Sequence, residues 1–177
     1  MRWLGAIALL ASFVVLGAAG PGEQVAGEPE VPPALKGILA AHNRLRANHC
    51  APTLRWSDAL AAVAQRWADH LAKAGCDLEH SGGKYGENLA AATPGALASE
   101  DVVGMWYAER DKYRWDRPGF SPTTGHFTQV IWRGSARVGC GVAACPAMQV
   151  WVCNYDPPGN VQGQYTKNVL RDTCARR

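Results

Sequence analysis

The chain has 177 residues, of which 47% are hydrophobic and 19% charged, with a formal net charge of +3. That length leaves room for one domain with a real core. So balanced a charge argues against a nucleic acid or an anionic membrane as partner. Six cysteines occur without any Cys-x-x-Cys pair, which makes a zinc ribbon a poor reading.

The N-terminal segment reads as a targeting signal. Arg2 is a short basic start, Leu4 to Leu16 is apolar, and Gly17-Ala18-Ala19-Gly20 offers small residues for cleavage after Ala19. The apolar run is too short for a membrane span, and no later stretch is expected to cross a bilayer. Residues 1–19 are expected to be a signal peptide and residues 20–33 a flexible leader with few groups that could pack. A single domain is expected over 34–177. An even cysteine count behind a signal peptide predicts three disulfides and a secreted, extracellular or periplasmic protein. Spacing alone does not choose the pairs.

Pro33 suits a first helical turn, and Leu35, Ile38, Leu39, His42 and Leu45 recur on one face of the helix it opens. His42 therefore points where the apolar side chains point. Ser57 predicts the N-cap of a second helix, whose inner stripe is Leu60, Val63, Ala64, Trp67 and Leu71, with Gly75 as its stop. Gly82 to Gly86 is a loop by composition, followed by Glu87-Asn88-Leu89. Ser99 is expected to cap a third helix that places Val102, Trp106 and Glu109 on one face. A short fourth helix should begin near His126. Val138 to Val142 and Gln149 to Asn154 predict two strands joined by a turn containing Pro146. Helices and a small sheet in this order predict an α+β fold, a three-layer α-β-α sandwich around a small, mostly antiparallel sheet.

His42 and Glu109 are ionisable groups on inner faces, and each needs a polar partner. Glu87 follows a glycine-rich loop and His126 opens a helix, so two histidines and two glutamates could satisfy one another in one cavity. Neutral imidazoles are good zinc ligands, and carboxylates orient them or hold a bound water. Taken singly, His42 is more often a core histidine bonded to backbone, His126 could simply cap its helix, and Glu109 could be a surface charge. His80-Ser81 carries no nucleophile elbow and makes a poor serine-hydrolase site. His49 and His70 read as surface or helix-border residues.

Two segments stand out: Gly125-His126-Phe127-Thr128-Gln129-Val130-Ile131-Trp132, and Trp151-Val152-Cys153-Asn154-Tyr155-Asp156-Pro157-Pro158-Gly159-Asn160. Together they resemble the two signature segments of the CAP superfamily, the cysteine-rich secretory, antigen 5 and pathogenesis-related class 1 proteins. His42-Asn43-Arg44-Leu45-Arg46, His80-Ser81, Gly86-Glu87-Asn88-Leu89 and Trp106 to Glu109 are similar to further family segments. The resemblance implies a cavity formed by His42, Glu87, Glu109 and His126, with zinc or another divalent cation held by His42 and His126. It also implies the pairs Cys140–Cys153 and Cys76–Cys145. Cys50 with Cys174 is then left, a departure from the family pattern, and a Cys50–Cys76 bridge with Cys145–Cys174 stays open. Asn154, Tyr155 and Asn160 are expected to be architectural.

The function implied is a secreted binding module for a lipid, a sterol or an extracellular protein, acting as a monomer. One alternative is a metal-dependent peptidase or esterase with Glu87 or Glu109 activating a water. The other is a structural or interaction protein of the cell envelope. Specificity is expected in the loops Ala90 to Ala98 and Arg114 to Thr123.

Overall fold

The computed structural model describes residues 31–174. The signal peptide and nearly all of the expected leader lie outside the described residues. Val31 already packs against the core, and Pro33 opens a single 3-10 turn, Pro33–Leu35. The first helix, α1 (Ile38–Asn48), starts later than the apolar spacing predicts. Gly37, at φ +84°, breaks the helix there, in a left-handed conformation that glycine adopts without penalty.

The elements that follow are β1 (Arg55–Trp56), α2 (Asp58–Lys73), β2 (Gly86–Ala92), α3 (Ser99–Ala108), a 3-10 turn at Glu109–Lys112, α4 (Gly125–Val130), β3 (Arg137–Ala144), β4 (Gln149–Asp156) and α5 (Tyr165–Asn168). The strands form one sheet in the order β1-β3-β4-β2, antiparallel except where β1 joins β3. Ser57 caps α2 as its position predicts, accepting the Leu60 N–H, and Gly75 follows the helix at φ +96°. Ser99 departs from expectation. It is the first residue of α3 rather than its cap, and its hydroxyl donates to the Ala34 carbonyl. Asp101 closes the helix start instead, by accepting the Ala98 N–H.

Alternation along β4 builds two cores. Trp151, Cys153 and Tyr155 join the cluster of α1, α3 and α4, whereas Val150 and Val152 join Ala64, Ala68 and Leu71 of α2. The sheet is thus covered on both faces, the expected three layers. Helix α2 lies very close to β3 because Gly139 and Gly141 present no side chain to it.

Helix α1 is fastened by two polar residues. Asn43 exchanges hydrogen bonds with the backbone of Leu54, at 2.7 Å and 3.1 Å. Arg46, fully buried, donates to the carbonyls of Pro52, Val130, Trp132 and Ser135. Burial pulls its pKa down to about 10, so it remains charged at neutral pH. Three disulfides complete the domain. Cys140–Cys153 joins directly opposed residues of β3 and β4, Cys76–Cys145 ties the end of α2 to the hairpin, and Cys50–Cys174 ties the end of α1 to the last described residue. No helix among the described residues is long and apolar enough to cross a membrane.

Candidate functional site

Glu109 stands where α3 gives way to its 3-10 turn, and its carboxylate is almost fully used. One oxygen accepts from His126 Nδ1 at 2.7 Å; the other accepts the backbone N–H of His126 at 3.0 Å and of Phe127 at 3.2 Å. Glu109 therefore closes the start of α4 and fixes the His126 ring together, because the first N–H groups of a helix have no partner inside it.

Glu87 is on β2, opposite Asn154 of β4. Its Oε1 accepts from His80 Nδ1 at 2.8 Å and from the Ser81 N–H at 2.9 Å. The Glu87 side chain is 6% exposed and that of His80 63%. Glu87 Oε2 is buried with no hydrogen-bond partner. A carboxylate oxygen left bare costs free energy unless water or a ligand meets it. His80, Glu87, Asn88, Gly125, His126 and Asn160 line one cavity of about 270 Å³.

His42 does not belong to it. The ring is fully buried, and its Nδ1–H donates to the Ile38 carbonyl at 2.8 Å. Nε2 is then the acceptor, taking the Tyr155 hydroxyl at 2.8 Å. With both nitrogens engaged inside the core, His42 has nothing to offer a metal, which corrects the expected His42–His126 pair. Its link to the cavity is indirect. Asn88 donates to the Tyr155 hydroxyl at 3.3 Å and to the His126 carbonyl at 3.1 Å. His80 instead lines the cavity together with His126. His49, expected at the surface or at a helix border, does stand at the border, as the C-cap of α1, but not at the surface. It is buried, with Nδ1–H donating to the Leu170 carbonyl at 2.6 Å and Nε2 accepting from the Tyr107 hydroxyl at 2.8 Å.

Burial lowers the His42 pKa from 6.5 to about 4, outweighing the Ile38 carbonyl that favours the charged form. Above pH 6.5 both folded and unfolded chains carry a neutral His42, and its contribution to stability is complete. As the pH falls from 6.5 toward 4, the unfolded chain binds a proton that the folded chain refuses. About 3 kcal/mol should be lost across that window. His49, lowered chiefly by burial, adds in the same direction. Urea unfolding at intervals from pH 7 to 4 should show this slope in the native protein and a shallower one in His42→Gln. Equal slopes would exclude His42 as the source.

The donor set fits a divalent cation only loosely. Each imidazole turns Nδ1–H to a carboxylate, the arrangement that orients Nε2 toward a metal. Among the described residues, however, no three His, Cys, Asp or Glu side chains converge as a metal-binding group. Two imidazoles with water completing the shell describe a weak site rather than a structural zinc centre.

The profile of the cysteine-rich secretory protein family, CAP, matches residues 39–155. Protein PRY2 of Saccharomyces cerevisiae is 45% identical over 138 residues, 75% of this chain; the chain spans only 40% of that relative's length. Pathogenesis-related protein 1A of Nicotiana tabacum is 44% identical over 129 residues, 71% of this chain and 76% of the relative. Among solved structures, NaASP2 with Zn2+ is similar in fold, with a TM-score of 0.63 at 22% identity, covering 85% of this chain and 90% of that one.

Proposed function

This chain belongs to the cysteine-rich secretory protein (CAP) family, and from that premise we propose a secreted ligand-binding module whose polar cleft holds a divalent cation weakly. The observation that carries this reading is the pair of carboxylate-oriented imidazoles, His80 with Glu87 and His126 with Glu109, in walls of one cavity. His80 and His126 would hold the ion, with Glu87 and Glu109 behind them. When bound, such an ion supplies positive charge and a polarised water. Three disulfides fit an extracellular location.

A cavity of about 270 Å³ is too small to enclose a sterol or a fatty chain. A lipid partner fits better in the larger trough, about 720 Å³, beside Leu39, Leu54 and Trp56. Calorimetric titration with Zn2+ tests the cation. His80→Ala and His126→Ala should each weaken binding by about tenfold, while the exposed His70→Ala should leave it unchanged. Undiminished binding in the His80/His126 double variant would sink the assignment.

A second reading, a metal-dependent hydrolase, draws on the bare Glu87 Oε2, the one carboxylate oxygen of the two pairs left free to take a proton. Metal-dependent turnover of mixed peptide and ester substrates that is lost in Glu87→Gln would favour it; turnover absent or unaltered would remove it.

A further inference from the structure

The loop between the Glu109–Lys112 turn and α4 forms a second recess, about 600 Å³, that the His/Glu cleft does not use. Its stem is the Glu109–His126 pair, so the loop leaves and re-enters the domain at one clamped point. Inside the loop, Tyr113 packs edge-on against Trp115 and Phe127, with ring centroids 4.8 Å and 5.6 Å away. Turns close at Arg114 to Arg117 and at Ser121 to Thr124. The recess is therefore a shaped surface, not a chance fold in a slack segment.

Its lining has an unusual charge. Lys112, Arg114 and Arg117 line it, and no carboxylate does. The whole chain has a formal net charge of only +3, so three cations in one recess is a concentration. Arg114 is held by Asp116 at 2.7 Å, whereas Lys112 and Arg117 have no ion-pair partner among the described residues. Ser121, Thr123 and Gln162 add hydroxyl and amide groups. Phe120 stands at the junction, lining both this recess and the His/Glu cavity, and is 59% exposed. Tyr113, 6% exposed, also lines the recess; its buried hydroxyl lies toward the Gly119 backbone without closing a hydrogen bond.

We infer that this recess binds an acidic saccharide, a sugar bearing a carboxylate or a sulfate. Unpaired cations answer the anionic group, hydroxyl and amide side chains answer the ring hydroxyls, and an exposed aromatic face offers a stacking surface for the apolar side of a sugar ring. A simple anion would use the cations but has no need of Phe120. A neutral glycan would leave the cations without an answer. The inference is independent of the cation proposed for the neighbouring cavity, since no imidazole lines the recess.

Four immobilised probes test it against the full chain: polygalacturonate for carboxylated sugar, heparin for sulfated sugar, neutral dextran, and polyglutamate as an anion without sugar. At least one acidic glycan should bind, more weakly as salt rises, and dextran should not. Lys112→Ala/Arg117→Ala should weaken glycan binding by about tenfold. Phe120→Ala should weaken glycan binding about fivefold while leaving any polyglutamate binding intact. All three side chains are exposed, and thermal melting of each variant checks its fold. The inference is overturned if neither acidic glycan binds, if the double variant binds as well as the native chain, or if Phe120→Ala has no effect. Which glycan is retained tells carboxylate from sulfate.

Discussion

Arg46→Ala should cost about 4 kcal/mol or more and leave little folded protein, given that ordinary domains have about 5–15 kcal/mol in total. The residue is a fully buried cation with no ion-pair partner among the described residues. Four carbonyls share its charge: Pro52 ahead of β1, Val130 and Trp132 around the end of α4, and Ser135 ahead of β3. Removing the guanidinium takes a hydrogen bond from each of these oxygens, of which only the Trp132 carbonyl keeps another, from the Ser135 N–H, and it opens a hole among α1, α4 and the sheet. Arg46→Lys should recover little of the loss. A single ammonium has three donors at one point and cannot span carbonyls arranged around a planar fork. Urea denaturation followed by tryptophan fluorescence measures both variants. A midpoint in Arg46→Lys close to the native one would show that charge alone matters.

Gly139→Ala and Gly141→Ala should each cost about 3 kcal/mol. A Cβ at Gly139 would lie 2.2 Å from the Ala61 nitrogen and 2.5 Å from the Ser57 carbonyl oxygen. At Gly141 it would lie 2.4 Å from both the nitrogen and Cα of Gln65. These are backbone atoms of α2 and its cap, so relief requires the helix to lift off the sheet. That would also disturb Gln65, whose amide exchanges hydrogen bonds with the backbone of Val142. Gly104→Ala is the contrast. It sits on the exposed side of α3 with nothing within 4 Å of the new carbon. There alanine should add about 0.5–1 kcal/mol through its better helix propensity. Comparing the three melting temperatures tests whether close approach, and not glycine replacement as such, sets the cost.

Much of the architecture is written in the local pattern of the chain. Helices α1 to α3 follow apolar spacing, α2 with its Gly75 stop, and the β3–β4 hairpin follows two runs rich in valine, with aromatics in β4. Strand β1 was invisible because two residues carry no period. Strand β2 was hidden by composition: Gly-Glu-Asn-Leu-Ala-Ala-Ala has no β-branched residue, and only its pairing along the whole of β4 makes it a strand. The site was legible in part. Periodicity turned His42 inward correctly, but the inner face of α1 meets packed core at that point. The Ile38 carbonyl one turn back and Tyr155 on the facing side of β4 satisfy the ring. His80 has no periodicity to expose it. Its signals were the family likeness of His80-Ser81 and the glycine-rich stretch before Glu87, which turns the chain back so that residues seven apart in sequence meet. His49 was missed for a related reason: its partners, Tyr107 and Leu170, are remote in sequence.

The arrangement of the crosslinks bears on how the molecule matures. Cys50 and Cys76 leave the ribosome long before their proper mates, which lie 124 and 69 residues further along. In an oxidising lumen the nearest available thiol for each is the other, and a premature bond between them would hold α1 against the end of α2. Completing the domain then depends on thiolate exchange to release that bond once Cys145 and Cys174 arrive. Yield from a host should accordingly follow its isomerase capacity more closely than its oxidising power.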